Sequence, residues 1–213
     1  GVIGCGTISR EHLKAYKAQP DTIVSAIADI NPESLKTMAC EFAVPNRYTD
    51  YREKLAKEQP DIVSICTWPT LHAEMTIAAA EQGVKAILCE KPIALNLGEA
   101  DAMIKACQEH GVKLVIGHQH RFNPHFTEAK HLIESGEIGE VHLVWGHFRG
   151  SSLNNGTHVV DTIRYMLGDP KTEWVLGQIE RKKDSYDRGH RVEEIAEGLV
   201  QFSNGTRGLI EMG

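Results

Sequence analysis

Over roughly the first 120 residues the chain alternates short β-branched apolar runs with helix-length stretches, a rhythm that few folds accommodate. Strand candidates are Val2–Cys5, Ile23–Ala28, Ile62–Thr67, Ala86–Glu90 and Lys113–Gly117. Between them, helical patterns run over Ser9–Ala18, Pro32–Phe42, Asp50–Glu58, Pro69–Gln82 and Leu97–His110. Asn31-Pro32 pairs a capping residue with a proline at the first helical position. Gly83 and Gly111 stand where helices need a left-handed residue to stop. The strand runs are continuously apolar, as in a sheet covered by helices on both faces. The expectation is an α/β fold built on a doubly wound parallel sheet.

The pattern changes after Phe122. A helix is expected from Asn123 to Ser135, a strand over Val141–Arg149, and a helix over His158–Leu167 stopped by Gly168-Asp169-Pro170. Trp174–Ile179, Glu194–Phe202 and Thr206–Met212 read as antiparallel strands, the last two joined by the hairpin signal Asn204-Gly205. The reading is therefore a first domain over 1–121 and an α+β domain over 122–213 with an open, mainly antiparallel sheet. The chain opens directly on Gly1-Val2-Ile3-Gly4, fewer apolar residues than a first strand brings to its turn, and closes at Gly213 within a sheet. Both ends read as trimmed.

Composition narrows the function classes. Apolar residues make up 41% and charged residues 24% of the 213 positions, enough for a real core. Net charge is −6, with Arg181-Lys182-Lys183 the nearest approach to a basic run, which argues against a nucleic-acid partner. No run approaches the roughly 20 apolar residues of a membrane span, and no signal peptide opens the chain. Cys5, Cys40, Cys66, Cys89 and Cys107 form no C-x-x-C pair and read as small core residues of a reducing, cytoplasmic compartment.

Gly4-Cys5-Gly6-Thr7-Ile8-Ser9 is a variant of the dinucleotide fingerprint G-x-G-x-x-G. The first glycine permits a tight turn, and the second lets the backbone approach a pyrophosphate. Serine is small enough for the third position, and Thr7 and Ile8 begin a helix whose free N–H groups face the phosphates. Asp29 lies 23 residues after Gly6, where an acidic residue takes the ribose hydroxyls. Its other reading is a helix cap, a task that Asn31 can perform alone. Ile30 rather than arginine follows, so NAD is preferred and NADP is the alternative. Thr67, Pro69 and His72 end the third strand on the ligand side, His72 reading equally as the first turn of a helix.

Glu90-Lys91-Pro92 places a charged pair straight after Ala86-Ile87-Leu88-Cys89, a pattern that suits a cleft. A cleft lysine can hydrogen-bond a substrate hydroxyl or lower the pKa of a neighbouring base. In Asn154-Asn155-Gly156-Thr157-His158-Val159-Val160-Asp161, His158 is a candidate general base, and helical spacing puts Asp161 on its face. The plain alternative is a solvated helix start. His118, His120 and His125 bring no matching cysteine or carboxylate pattern, and no metal is expected.

In this order these segments resemble the Gfo/Idh/MocA family, named for glucose–fructose oxidoreductase, inositol dehydrogenase and rhizopine catabolism. The resemblance covers essentially the whole chain. Its most specific part is Glu90-Lys91-Pro92, followed by 117–124 (Gly-His-Gln-His-Arg-Phe-Asn-Pro) and by 156–161. It implies a Rossmann domain for the cofactor, then a sheet domain. It implies chemistry by Lys91 and His158 with Asn154 beside them, cofactor contacts from Gly4, Gly6, Thr7, Ile8, Asp29, Thr67, Pro69, His72, Glu90 and Lys91, and substrate contacts from Lys91, Arg121, Asn123, Asn154, His158 and Asp161. Many family dehydrogenases carry aspartate four residues before the histidine; Asn154 stands here, and an amide cannot accept a proton as a carboxylate does. The segment between Arg149 and Leu153 is also shorter than the family's usual loop.

The reading that follows is an NAD-dependent oxidoreductase moving hydride between nicotinamide and a hydroxyl carbon of a sugar, sugar derivative or inositol. A redox-neutral glycosidase or isomerase that cycles its NAD, and a non-catalytic dinucleotide sensor, are the alternatives. A homodimer or homotetramer through the open sheet is expected.

Overall fold

The computed structural model describes residues 1–212 and divides into two compact units, Gly1–Gly117 and a second that starts at His118. The first unit holds six parallel strands in the order β3-β2-β1-β4-β5-β6: β1 (Val2–Ile3), β2 (Ala26–Ala28), β3 (Asn46–Tyr48), β4 (Ile62–Ile65), β5 (Ala86–Cys89) and β6 (Lys113–Ile116). The helices are α1 (Thr7–Ala18), α2 (Pro32–Phe42), α3 (Tyr51–Glu58), α4 (His72–Glu81) and α5 (Leu97–Glu109). This is the expected doubly wound sheet. Strand order reverses between β1 and β4, which opens a crevice at their carboxyl ends.

Two apolar clusters explain why these runs become strands. Neighbouring strand residues point to opposite faces. Val2, Ile27 and Cys66 join Leu13 of α1 and Leu35 and Met38 of α2. Ile3, Val63, Ile65 and Ile87 join Met75 and Ala79 of α4 and Met103 and Cys107 of α5. Ser64 lies between Val63 and Ile65 and turns to the α1 side, where it meets Tyr16 and His12. Asn31 caps α2 by accepting from the Glu33 and Ser34 amides, and Gly83 and Gly111 take positive φ, as the sequence predicts.

Several boundaries move. The run over Ile23–Ala28 is a strand only from Ala26, and α1 begins at Thr7 rather than Ser9. Asp50 is the cap of α3, not part of it, and accepts from the Arg52 amide. The single helix expected over Pro69–Gln82 is a 3-10 turn, Pro69–Leu71, followed by α4. Polar β3 carries no apolar alternation, and its pairing with β2 alone makes it a strand.

In the second unit α6 (Pro124–Glu134) precedes β7 (Leu143–Phe148), and a π-turn over Ser152–Gly156 runs into α7 (Thr157–Met166). The strands β8 (Thr172–Glu180), β11 (Ile195–Phe202) and β12 (Arg207–Met212) form with β7 a sheet of order β7-β12-β11-β8. Its β8–β11 and β11–β12 pairs are antiparallel, while β12 runs parallel to β7. Asn204-Gly205 makes the expected hairpin turn. Val159 and Ile163 of α7 pack with Ala196, Val200, Phe202 and Ile210 on one sheet face. A Cβ on Gly146 would run into Val159, so this glycine lets α7 approach β7 closely. A further hairpin, β9 (Ser185–Asp187) with β10 (His190–Val192), had no sequence signal of its own. Among the described residues no helix is long and apolar enough to cross a membrane.

Candidate functional site

The glycine turn sits at the crevice of the first unit. Gly4 has φ +93°, and a Cβ there would lie 2.7 Å from the Cys66 carbonyl oxygen. Only glycine serves at such a position. At Gly6 a Cβ would meet nothing within 4 Å, so the backbone there faces open space. Gly6 is the N-cap of α1 and no side chain caps this helix. Its first N–H groups therefore stay directed at the crevice, with exposed Thr7 and Ile8 in the first turn.

Asp29 follows β2 and is held in place by two amides. Its Oδ2 accepts from Cys5 N at 2.6 Å and its Oδ1 from Asn31 N at 2.8 Å. Each carboxylate oxygen keeps a further lone pair for a hydroxyl donor. Gly4, Asp29, Ile30 and Thr67 border one cavity of about 80 Å³, together with Thr49 and Tyr51, which the sequence did not single out. An open glycine turn, an uncapped helix start and a fixed carboxylate fit a dinucleotide: pyrophosphate at Gly6 and α1, ribose hydroxyls at Asp29. A larger concavity beside β3, lined by Lys36, Arg47 and Lys57, shares Thr49 with this cavity and none of the other residues named for it.

Pro69 is buried and opens the 3-10 turn. His72 is fully buried, with Nδ1 2.8 Å from the Pro92 carbonyl oxygen and Nε2 3.2 Å from that of Thr67. Burial lowers its pKa more than the two carbonyls raise it, so the ring is neutral near pH 7. A neutral ring donates one N–H, and the shorter contact assigns it to Pro92. His72 thus ties the segment after β4 to the loop that carries half-buried Lys91.

Glu90 is 8% exposed. Its Oε1 lies 2.8 Å from His12 Nε2, and its Oε2 accepts from Lys91 N at 3.3 Å. His12 Nδ1 lies 3.0 Å from Ser64 Oγ, which is 2.6 Å from Tyr16 Oη. Burial pushes the Glu90 carboxyl up, but the bond and charge of His12 with the amide and charge of Lys91 outweigh it; the net shift is downward. Sequence reasoning missed His12, Ser64 and Tyr16. Their only signal was polar residues on the apolar side of α1 and within the apolar run of β4.

In the second unit His158 lies at the start of α7, 7% exposed. Its ring stacks on His120 with centroids 4.7 Å apart and meets His118 edge-on at 5.7 Å. His118 Nδ1 is 3.9 Å from Asp161 Oδ2. Asp161 accepts from Arg121 Nε and Nη2 at 2.8 to 3.0 Å, and Arg121 also binds Asp169. These carboxylates, Asp169 first, raise the guanidinium pKa further, and Arg121 lowers that of Asp169. Asn123 caps α6 by accepting from the His125 amide at 2.9 Å. Asn154, in the π-turn, donates from Nδ2 to Asp187 Oδ2 at 3.0 Å. Asp187 comes from the β9–β10 hairpin, another residue the sequence did not mark. Among the described residues no group of three or more His, Cys, Asp or Glu side chains is placed to hold a metal ion.

Comparison with known sequences settles the family. The profile of the GFO_IDH_MocA oxidoreductase family, NAD-binding Rossmann fold, matches residues 1–118, and that of the family's C-terminal alpha/beta domain matches 130–213. The chain belongs to the Gfo/Idh/MocA oxidoreductase family. The myo-inositol 2-dehydrogenase of Thermotoga maritima is 32% identical over 99% of this chain and 67% of its own length. The 2,7-anhydro-N-acetylneuraminate hydratase of Mediterraneibacter gnavus is 29% identical over 100% of the chain and 60% of its own length. A levoglucosan dehydrogenase solved with NADH and levoglucosan superposes with a TM-score of 0.88 at 28% identity, over 100% of this chain and 65% of that one. The chain spans about half to two thirds of the curated relatives it matches. Within the family, the first unit is the NAD-binding Rossmann domain.

Proposed function

We propose that the protein is an NAD-dependent dehydrogenase acting on a hydroxyl carbon of a sugar, sugar derivative or inositol. The observation that carries this reading is the dinucleotide site of the first unit, in a chain that also keeps Glu90-Lys91-Pro92 and a buried His158. The sugar and inositol dehydrogenases among its relatives support the substrate class. Asp29 favours NAD over NADP, because its carboxylate would repel a 2′-phosphate and exposed Ile30 offers no cation.

In this reading Gly6 and the start of α1 receive the pyrophosphate and Asp29 the ribose. NAD⁺ held there would supply the acceptor for the hydride of the carbinol carbon. His158 takes the hydroxyl proton as that carbon becomes a carbonyl, and Lys91 hydrogen-bonds the same oxygen. Asn154 orients a neighbouring hydroxyl, its own amide set by Asp187. Arg121 and Asp161 position His118 and so the imidazole stack behind His158.

The test is a panel of cyclic polyols, aldoses and amino sugars offered to the full-length protein with NAD⁺ or NADP⁺, read by absorbance of the reduced nicotinamide. Turnover with NAD⁺ is expected for one substrate group. Lys91→Ala and His158→Ala should each lower kcat by about 10²-fold or more while NADH still binds. Undiminished turnover in either variant would overturn the assignment. A redox-neutral reaction that cycles bound NAD is the second reading, favoured by Asn154 in place of a carboxylate and by the hydratase relative. Its mark is product release with no net NADH.

The open sheet supports a homodimer or homotetramer. Trp145, Leu209, Leu199 and Leu176 pair in one row across all four strands of the second unit. Trp145 and Leu176 are 64% and 69% exposed. A second copy of this face would cover the row.

A further inference from the structure

The part-buried chain Tyr16–Ser64–His12–Glu90 is built of polar contacts, with the Tyr16 ring packed against one core cluster. It joins α1, whose first turn faces the dinucleotide crevice, to the backbone amide of Lys91. Every step is a hydrogen bond between side chains brought from distant parts of the first unit. Gly117, at the end of β6, leaves the space that Glu90 occupies: a Cβ there would lie 3.0 Å from Oε1. Buried ionisable pairs are poor stabilising devices, since apolar residues of similar volume serve as well or better. A pair retained beside a functional lysine points to positioning.

We propose that His12 is a positioning residue for the hydride transfer, holding the Glu90 carboxylate against the Lys91 amide so that the pyrophosphate helix and the lysine share one fixed geometry. This rests on the dehydrogenase reading given above. An ionised carboxylate only accepts hydrogen bonds, so His12 Nε2 carries the proton directed at Glu90. The ionisable groups around Glu90 are His12 from α1, Cys66 after β4, His72 at the start of α4, Cys89 of β5 and Lys91 on its own loop. His12 and Lys91 are the ones that oppose the burial of the charge. Without the His12 bond, burial acts on Glu90 with less opposition, and the carboxylate is lost at a higher pH.

His12→Leu removes the donor and His12→Gln keeps one at similar reach. With a substrate from the panel, His12→Leu should lower kcat by about 10- to 100-fold and move its acid limb up by about one pH unit. The KM for the sugar and the Kd for NADH should change by less than about threefold. His12→Gln should recover most of kcat and keep the wild-type limb. In the cofactor-free protein, the ¹³C carboxyl resonance of Glu90, assigned by its loss in Glu90→Gln, should titrate higher in His12→Leu and not in His12→Gln. Equal loss in both variants with an unmoved limb would make His12 a packing residue and overturn the proposal, as would wild-type kcat and Glu90 titration in His12→Leu. A wild-type protein without turnover, yet with the Glu90 shift, would sink the dehydrogenase reading and leave the His12–Glu90 coupling standing.

Discussion

Gly4 and Gly6 stand two positions apart and are separated by what a methyl group would meet. At Gly4 it would press on the Cys66 carbonyl from a backbone at positive φ; at Gly6 it would enter open space. Gly4→Ala should therefore cost at least about 2 kcal/mol of stability, read as a lower urea midpoint. Gly6→Ala should leave that midpoint in place and weaken NADH about tenfold or more, which is about 1.4 kcal/mol, in a fluorescence titration. An unchanged NADH affinity would mean that the cofactor does not approach there. These glycines and Asp29 were legible because the fingerprint is local: its parts lie within one βαβ unit. His12 was not, because its partners are spread over positions 64 and 90, and spacing along a helix does not reveal what a distant strand brings to it. His72 was half legible, since its place was marked but not its two carbonyl partners.

At the scale of elements, caps separate architecture from recognition. Asn123 closes the start of α6 through the His125 amide, and the family resemblance also makes it a substrate contact. If the cap is its main duty, Asn123→Ala should destabilise the protein by about 1 kcal/mol, Asn123→Ser should restore it, and the sugar KM should hold. A raised KM at unchanged stability would give the residue to the substrate instead. Elements with strong periodicity or glycine stops were read nearly to their ends, as α2 and α5 were. The strands β3, β9 and β10 escaped because short, polar segments take their structure from a neighbour rather than from their own pattern. The π-turn before α7 was unreadable for a related reason: besides the local Ser151 cap, Glu193 holds its backbone by accepting from the Ser152 amide, a contact remote in sequence.

At the scale of the molecule, charge and exposed apolar surface set behaviour in solution. Glu90 in the first unit and Asp169 in the second have folded pKa values below their ordinary 4.5 and 3.8. Each binds its proton more tightly when unfolded, so its contribution is fully present above the ordinary value and is lost as pH falls through the folded one. Through these two carboxyls urea midpoints should drop as pH falls below about 4.5; Glu90→Gln should flatten part of that drop. The row from Trp145 to Leu176 makes a second prediction. Light scattering of the full-length protein should give a dimer or tetramer, and Leu176→Asp should shift it toward monomer. A wild-type monomer would reject the sheet as an interface. The two-part organisation was visible in sequence because the change from continuous to alternating apolar runs falls near the change of fold.

The parallel pairing of β7 with β12 has a consequence for synthesis. Among the described residues β12 is the only strand beside β7, and it leaves the ribosome after α7, β8 and β11. Until residues 207–212 emerge, residues 143–148 have backbone groups with no ladder to join and a tryptophan facing outward. The Rossmann sheet, complete once β6 is made, can close early; the second sheet cannot. A nascent chain stalled in that interval carries an unpaired strand edge, the feature that invites aggregation.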